Sequence, residues 1–142
     1  MTIEAGPADR YSVGESYPEH IYDDIEKSDF VRWGGTAGDF NPVHWDTAHV
    51  EAAGLPDVFG QGMFTAGFIS YYLTEWFVIR NIKRWSSRFE SRLMPGETVV
   101  VSGEITAKSM LDDCVEYEVT VSARTDTDKV LISGDATAEI PR

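Results

Sequence analysis

The stretch GMFTAGFISYYLTEWFVIR at residues 62–80 decides the fold. It is apolar on nearly every side, and that pattern predicts a helix buried all round rather than one with a wet face. Its large apolar side chains are Met63, Phe64, Phe68, Ile69, Tyr72, Leu73, Trp76 and Phe77. Such a helix needs other elements to cover it.

The residues that follow predict this cover. Apolar and polar side chains alternate most clearly along residues 115–122, which indicates a strand with one wet face. Residues 85–93 lead to a Pro95-Gly96 turn, and residues 98–106 and 130–140 supply two further strands. The sequence therefore predicts an α+β fold in which an antiparallel β-sheet wraps around a long central helix.

Shorter elements are predicted before the long helix, each from its turn and capping residues. They are a strand at 17–22, a helix at 26–36 with Asp24 as its cap, a loop at 39–44, and a helix at 47–53 that begins at Asp46.

Length and composition limit the class of protein. The chain has 142 residues, enough for one domain, which we place at residues 11–142 after a flexible N-terminus at 1–10. A net charge of -12 argues against nucleic acid as a partner, because phosphate binding requires clustered basic residues. The absence of a secretory pattern and the lone Cys114 predict a cytoplasmic protein. The apolar run is too short and too polar to predict a membrane span.

One loop carries a plausible acid/base pair. In the segment GDFNPVHWD at residues 38–46, Asp39 and His44 lie five residues apart in a loop stiffened by Pro42. A carboxylate and an imidazole around one water molecule suit reversible hydration of an activated double bond. The spacing alone is common, however, and by itself favours an aspartate that caps or bonds a turn and a structural histidine.

The wider pattern resembles a known family. The run Gly38-Asp39-x-Asn41-Pro42-x-His44 is similar to the signature of the MaoC-like (R)-specific enoyl thioester hydratases and dehydratases. The run Gln61-Gly62-Met63 resembles the opening of that family's central helix, where histidine commonly stands in place of glutamine. Within the family, the actinobacterial (3R)-hydroxyacyl thioester dehydratase subunits look most similar, because they share the His-Trp-Asp run. The resemblance covers nearly the whole chain and implies a hot-dog fold.

The resemblance also implies roles for particular residues. Asp39 and His44 would be the catalytic pair, and the amide of Gly62 would be the oxyanion donor. Helix geometry independently supports this role for Gly62, since free N–H groups at a helix start attract negative charge. Without the neighbouring motif, a glycine needed for tight packing at a helix start would be the better interpretation. Ser70 matches a serine that bonds the catalytic aspartate in some members, although a helix serine that bonds its own backbone is an equal alternative.

Asn41 and Pro42 are interpreted as support for the loop rather than as reacting groups. Gln61 is not expected to be catalytic, and whether it shapes the loop or contacts substrate stays open. No metal or other cofactor is expected. The spacing of Asp39, His44, Asp46 and His49 lacks a usual ligand pattern.

The partners expected are an acyl-CoA or an acyl carrier protein thioester, and a second hot-dog subunit in a homodimer or heterodimer. Arg84, Arg88 and Arg92 recur at every fourth position and predict one basic strand face, either for an anionic carrier or paired with acidic residues. Tyr71, Tyr72, Trp76 and Trp85 offer aromatic surface for a subunit interface or an acyl tunnel. The alternatives to a hydratase are a hot-dog acyl thioesterase and a non-catalytic acyl-binding subunit.

Overall fold

The central helix α3, Gly62–Phe77, packs on the inner face of an antiparallel sheet. The computed structural model describes residues 7–142. Five strands follow the spatial order β1-β3-β4-β5-β2. The strands are β1 (His20–Tyr22), β2 (Ile82–Phe89), β3 (Val99–Met110), β4 (Cys114–Thr125) and β5 (Val130–Pro141). The other helices are α1 (Lys27–Ala37) and α2 (Thr47–Ala52), with 3₁₀ turns at Pro42–His44 and Ile79–Asn81.

The core lies between α3 and the inner face of the sheet. Along β4 the side chains of Val115, Tyr117, Val119 and Val121 are buried, and the intervening polar side chains are at least partly exposed. Ile69 and Leu73 of α3 are at most 1% exposed. The predicted alternation and the hot-dog arrangement of a sheet wrapped around a helix are thus confirmed. The helix is not buried all round, however, because Met63, Ser70 and Tyr71 of α3 are exposed in this subunit.

Two helix boundaries differ from the predictions. Helix α3 ends at Phe77 rather than near residue 80, because Val78 has a φ of 64° and the side-chain amide of Asn81 donates to the carbonyl of Phe77 at 2.8 Å. The proposed cap Asp24 is wrong, since it precedes α1 with a φ of 50° and Glu26 is the capping residue.

The strands also differ from the predictions in length. β1 is shorter than predicted because it pairs with β3 only over His20–Tyr22. β2 begins at Ile82 and stops at Phe89, so that Leu93 lies beyond the strand. β3 and β4 extend past their predicted ends because they pair with each other from Val99 opposite Thr125 to Met110 opposite Val115. The register shift between Ile105 and Ala107 is not visible in the periodicity of either strand.

The start of the described chain is bonded to the sheet. The hydroxyl of Tyr117 donates to the carbonyl of Ala8 at 2.8 Å, and Lys108 pairs with Asp9 at 2.6 Å. Of the N-terminal segment expected to be flexible, residues 1–6 lie outside the described residues, and residues 8–10 contact the sheet.

Candidate active site

The loop that carries the predicted acid/base pair begins where α1 ends. Gly38 has a left-handed φ of 72°, and the N–H of Asp39 donates to the carbonyl of Gly34 at 3.1 Å. This turn directs the chain out of the helix and presents Asp39 at the start of the loop. The left-handed conformation explains the glycine at this position.

Two further residues shape the loop. The side-chain oxygen of Asn41 accepts a hydrogen bond from the N–H of Val43 at 3.3 Å, and Pro42 opens the 3₁₀ turn that contains His44. The carboxylate of Asp39 accepts from the N–H of Asn41 at 3.2 Å. Asn41 and Pro42 thus lie in the turn between Asp39 and His44, and their role as loop support stays a prediction.

The imidazole of His44 is oriented by a backbone carbonyl. Its Nδ1 lies 2.6 Å from the carbonyl oxygen of Phe59, and the side chain is buried. Because a carbonyl oxygen only accepts, Nδ1 must carry a proton and donate it to this bond. The other nitrogen, Nε2, is then the one available for chemistry.

Nε2 of His44 faces the carboxylate of Asp39. The distance from Nε2 to Oδ2 of Asp39 is 3.7 Å. The Asp39 side chain is 41% exposed, whereas that of His44 is 10% exposed. The structure thus brings the predicted pair together. The carboxylate of Asp39 is accessible to water, and the imidazole of His44 is fixed by its bond to the carbonyl of Phe59.

The segment that holds His44 leads directly into α3. Phe59 precedes Gly62 by three residues, and the N–H of Phe59 donates to the carbonyl of Val43 at 3.3 Å. Gln61 makes no side-chain cap at the helix start. Among residues 7–142 no acceptor pairs with the N–H of Gly62, so this amide and the helix dipole are available to an anion.

A cavity of about 270 Å³ opens beside this helix start. The ring of Phe89 packs so closely on Gly62 that a Cβ there would lie 3.0 Å from it, and the guanidinium of Arg92 lies 4.7 Å from the centre of the Phe59 ring. The walls of the cavity include Phe59, Gly62, Thr65, Phe89, Arg92, Leu93 and Ile132. Sequence reasoning missed Phe59, Thr65 and Phe89, because neither their spacing nor their residue types distinguish them from core residues.

Ser70 lies two turns beyond Gly62 on α3 and is exposed. No hydrogen bond joins its hydroxyl to the carboxylate of Asp39 among the bonds of the described residues. Its role toward Asp39 therefore stays a prediction.

The predicted basic strand face is wrong in part. Arg84 and Arg88 lie on β2, but Arg92 lies beyond the end of that strand and stacks on Phe59. Arg84 contacts the carboxylates of Asp135 and Glu118. Arg84 is therefore paired with acidic residues at the surface, which was the alternative to contact with an anionic carrier.

The aromatic residues offered for an interface divide into two groups. Tyr72 and Trp76 are buried in the core of the subunit, so they are not surface for a partner. Tyr71 of α3 is 54% exposed, and Trp85 is partly buried against the core. Met63, two turns before Tyr71 on α3, is also exposed, at 61%.

Residues 7–142 lack two features that mark other classes of protein. No three His, Cys, Asp or Glu side chains converge there in a way that could hold a metal ion. None of the helices in this part of the chain has both the length and the apolar character needed to cross a bilayer.

The predicted acid/base pair lies beside a helix start on a hot-dog sheet, and comparison with known proteins identifies the family. The family model described as MaoC like domain matches residues 10–127. The chain belongs to the MaoC-like domain family.

Similar proteins agree with this assignment. The chain is 31% identical over 107 residues to the fatty acid synthase beta subunit pkiC of Emericella nidulans. This match takes in 73% of the chain but only 6% of that much longer protein.

Solved structures share the fold. The R-hydratase PhaJ1 from Pseudomonas aeruginosa superposes with a TM-score of 0.81 at 21% identity, over 96% of this chain and 86% of that one. The (R)-hydratase from A. caviae involved in PHA biosynthesis gives 0.78 at 20% identity, over 94% and 99%. The ChsH1-ChsH2 complex from Mycobacterium tuberculosis gives 0.77 at 24% identity, over 92% and 99%.

Proposed function

We propose that the chain catalyses the reversible hydration of a trans-2-enoyl thioester to a (3R)-3-hydroxyacyl thioester. The observation that carries this proposal is the orientation of His44, whose Nδ1 is bonded to the carbonyl of Phe59 while Nε2 faces Asp39. The (R) configuration is supported by the names of two structures with the same fold, both of which are R-hydratases.

The pair performs the reaction with one proton shared between its members. Ionised Asp39 takes a proton from water as the water oxygen bonds to the β-carbon of the substrate. Protonated Nε2 of His44 gives a proton to the α-carbon. The proton on Asp39 then returns to Nε2 of His44 after the two side chains, 3.7 Å apart in this structure, approach to hydrogen-bond distance. One water is consumed, and both groups recover their starting states.

The start of α3 supports the same reaction from the other side of the substrate. Addition of water to the β-carbon moves negative charge onto the thioester oxygen. The unpaired N–H of Gly62 and the positive end of the helix dipole stabilise that charge. The missing side chain of Gly62 makes room for the ring of Phe89, which packs on this residue.

The carrier and the quaternary structure are part of this proposal. Arg92, at the cavity wall, is the basic residue best placed to meet the phosphate of coenzyme A or of an acyl carrier protein. A homodimer or a heterodimer is supported by the exposed apolar residues of α3 and by the ChsH1-ChsH2 complex, which is a heteromeric neighbour. A cytoplasmic location and the likeness to actinobacterial dehydratase subunits stay predictions.

A spectroscopic assay tests the proposal. Incubation with enoyl-CoA substrates of increasing chain length should remove the ultraviolet absorbance of the conjugated double bond. The variants Asp39→Asn and His44→Gln should each lower kcat by about 10²- to 10⁴-fold, because each removes one proton-transfer group. His49→Gln changes an exposed histidine five residues along the chain and should keep wild-type activity.

Three outcomes would contradict part of this proposal, either the hydration reaction or the roles of Asp39 and His44. Release of free thiol would indicate the alternative thioesterase. Binding without turnover, by the protein alone and with a second hot-dog subunit, would indicate a non-catalytic acyl-binding subunit. Full activity in both substituted enzymes would remove the acid/base assignment.

A further inference from the structure

Gln61 occupies the junction between the two halves of the proposed site. It directly precedes Gly62 and is 3% exposed. Its side-chain Nε2 donates to the carbonyl oxygen of Phe30 in α1 at 2.9 Å, in a bond that is itself buried. One amide therefore connects the start of α3 with the helix that leads to Asp39.

The same junction fixes the backbone around Asp39. A Cβ at Gly34 would lie 2.7 Å from the carbonyl oxygen of Asp39 and 3.5 Å from Nε2 of Gln61. The amide of Gln61, the last turns of α1 and the first residue of the catalytic loop are thus in contact. On the other side, a Cβ at Gly60 would lie 2.9 Å from the ring of Phe30.

Stability alone does not explain a glutamine at this position. Its Oε1 is buried and has no hydrogen-bond partner among the described residues, and such an atom costs free energy. The carbonyl of Phe30 lies inside α1, where regular helical geometry already pairs it with the N–H of Gly34. An apolar side chain of similar size would avoid the unpaired Oε1 and leave no buried carbonyl unbonded.

We infer that Gln61 is a positioning residue that sets the distance between the carboxylate of Asp39 and the oxyanion-binding amide of Gly62. This inference rests on the proposed function. Gln61 itself touches neither reacting group. It acts through Phe30 and Gly34 on the Asp39 loop, and through its own backbone on Gly62. A shift of about 1 Å in such an arrangement is enough to cost about 10²-fold in rate.

The test compares Gln61→Leu with Asn81→Leu. Asn81 is a matched control, since its buried side-chain amide also donates to a helix carbonyl, that of Phe77 at the opposite end of α3. We expect Gln61→Leu to lower kcat for enoyl-CoA hydration by about 10- to 100-fold with little change in KM or unfolding temperature. Folded Asn81→Leu should retain the wild-type kcat. Gln61→Met replaces the leucine variant if the latter does not fold.

Amide hydrogen exchange provides a second readout that does not depend on activity. Exchange at the N–H of Asp39 should accelerate in Gln61→Leu and stay at the wild-type rate in Asn81→Leu. Unchanged exchange at Asp39 overturns the inference, whether or not the protein hydrates enoyl-CoA. If the wild-type enzyme is active and Gln61→Leu has the same kcat, the inference is also overturned, and the proposed function is unaffected. A wild-type enzyme without hydratase activity would contradict the proposed function. If exchange at Asp39 still accelerated in Gln61→Leu, the side chain would hold the loop in place but would have no reaction to serve, and its role as a positioning residue would be overturned.

Discussion

At the scale of single residues, a backbone carbonyl decides which nitrogen of His44 is available. The sequence does not show which ring nitrogen of His44 is bonded and which is free. In the structure only Nδ1 bonds to the carbonyl of Phe59. The bond also holds the ring edge-on to the Phe59 side chain, with 5.2 Å between the ring centres. The partner of His44 is therefore a main-chain atom, which any residue type at position 59 would supply.

Adjacent glycines of α1 offer a test at the same scale. Gly34→Ala places a methyl group 2.7 Å from the carbonyl oxygen of Asp39, so the backbone of the catalytic loop must move. A Cβ at Gly35 meets nothing within 4 Å. We expect Gly34→Ala to lower both stability and kcat, and Gly35→Ala to raise stability by about 0.5–1 kcal/mol through helix propensity alone.

Urea unfolding and enoyl-CoA hydration measure these two effects. Equal behaviour of the two alanine variants would show that the packing of Gly34 on Asp39 does not constrain the loop.

At the scale of elements, the short helix α2 anchors the far end of the loop that carries Asp39 and His44. The carboxylate of Asp46 accepts a hydrogen bond from the N–H of His49 at 3.2 Å, as the sequence predicted for a cap. The buried Val50 then packs α2 into the core. The loop is thus held by α1 at Asp39 and by α2 two residues after His44.

Removal of this cap should affect stability more than chemistry. Asp46→Ala leaves an N–H of the first turn of α2 unpaired and should lower the free energy of unfolding by about 1 kcal/mol. Asp46→Asn keeps a capping oxygen and should cost less. Urea midpoints measure both effects, and a kcat reduced as strongly as in His44→Gln would instead assign Asp46 a role in the reaction.

Much of the element scale is readable from sequence. The alternation in β4 and the all-round apolar character of α3 predicted a strand and a buried helix, because both patterns repeat along a local segment. The prediction carried α3 past its end at Phe77, since Val78 and Ile79 continue the apolar pattern. The bond from the Asn81 side chain to Phe77, which covers the helix end, arises only in the folded chain.

At the scale of the whole molecule, a buried tyrosine links α3 to the segment that precedes β1. The hydroxyl of Tyr72 donates to the carbonyl of Tyr17 at 2.9 Å, and its side chain is fully buried. Burial raises the pKa of Tyr72 to about 12 from its ordinary value of 10.0. The neutral phenol is therefore favoured by folding.

This pKa shift predicts a loss of stability in alkali. The contribution of Tyr72 is fully present below pH 10, the pKa of the unfolded chain, and is lost as the pH rises toward about 12. Tyr72→Phe has no phenol to ionise, so its free energy of unfolding should fall less between pH 9 and pH 11 than that of the wild type. Tyr71→Phe, which changes the exposed neighbour, should keep the wild-type pH dependence.

Denaturant unfolding across this pH range measures the difference. If the Tyr72→Phe and wild-type proteins lose stability in parallel, the buried phenol does not control the alkaline transition.

The sequence by itself determined the class of fold, the position of the loop that carries Asp39 and His44, and the glycine at the start of α3. Those features depend on local periodicity and on residue types along one segment. Only the tertiary structure decided that Phe59 orients His44, that Gln61 bonds to Phe30, and that Gly34 packs on the backbone of Asp39. Each of these contacts involves a main-chain carbonyl, and every residue carries one, so side-chain identities do not reveal which carbonyl will be the partner.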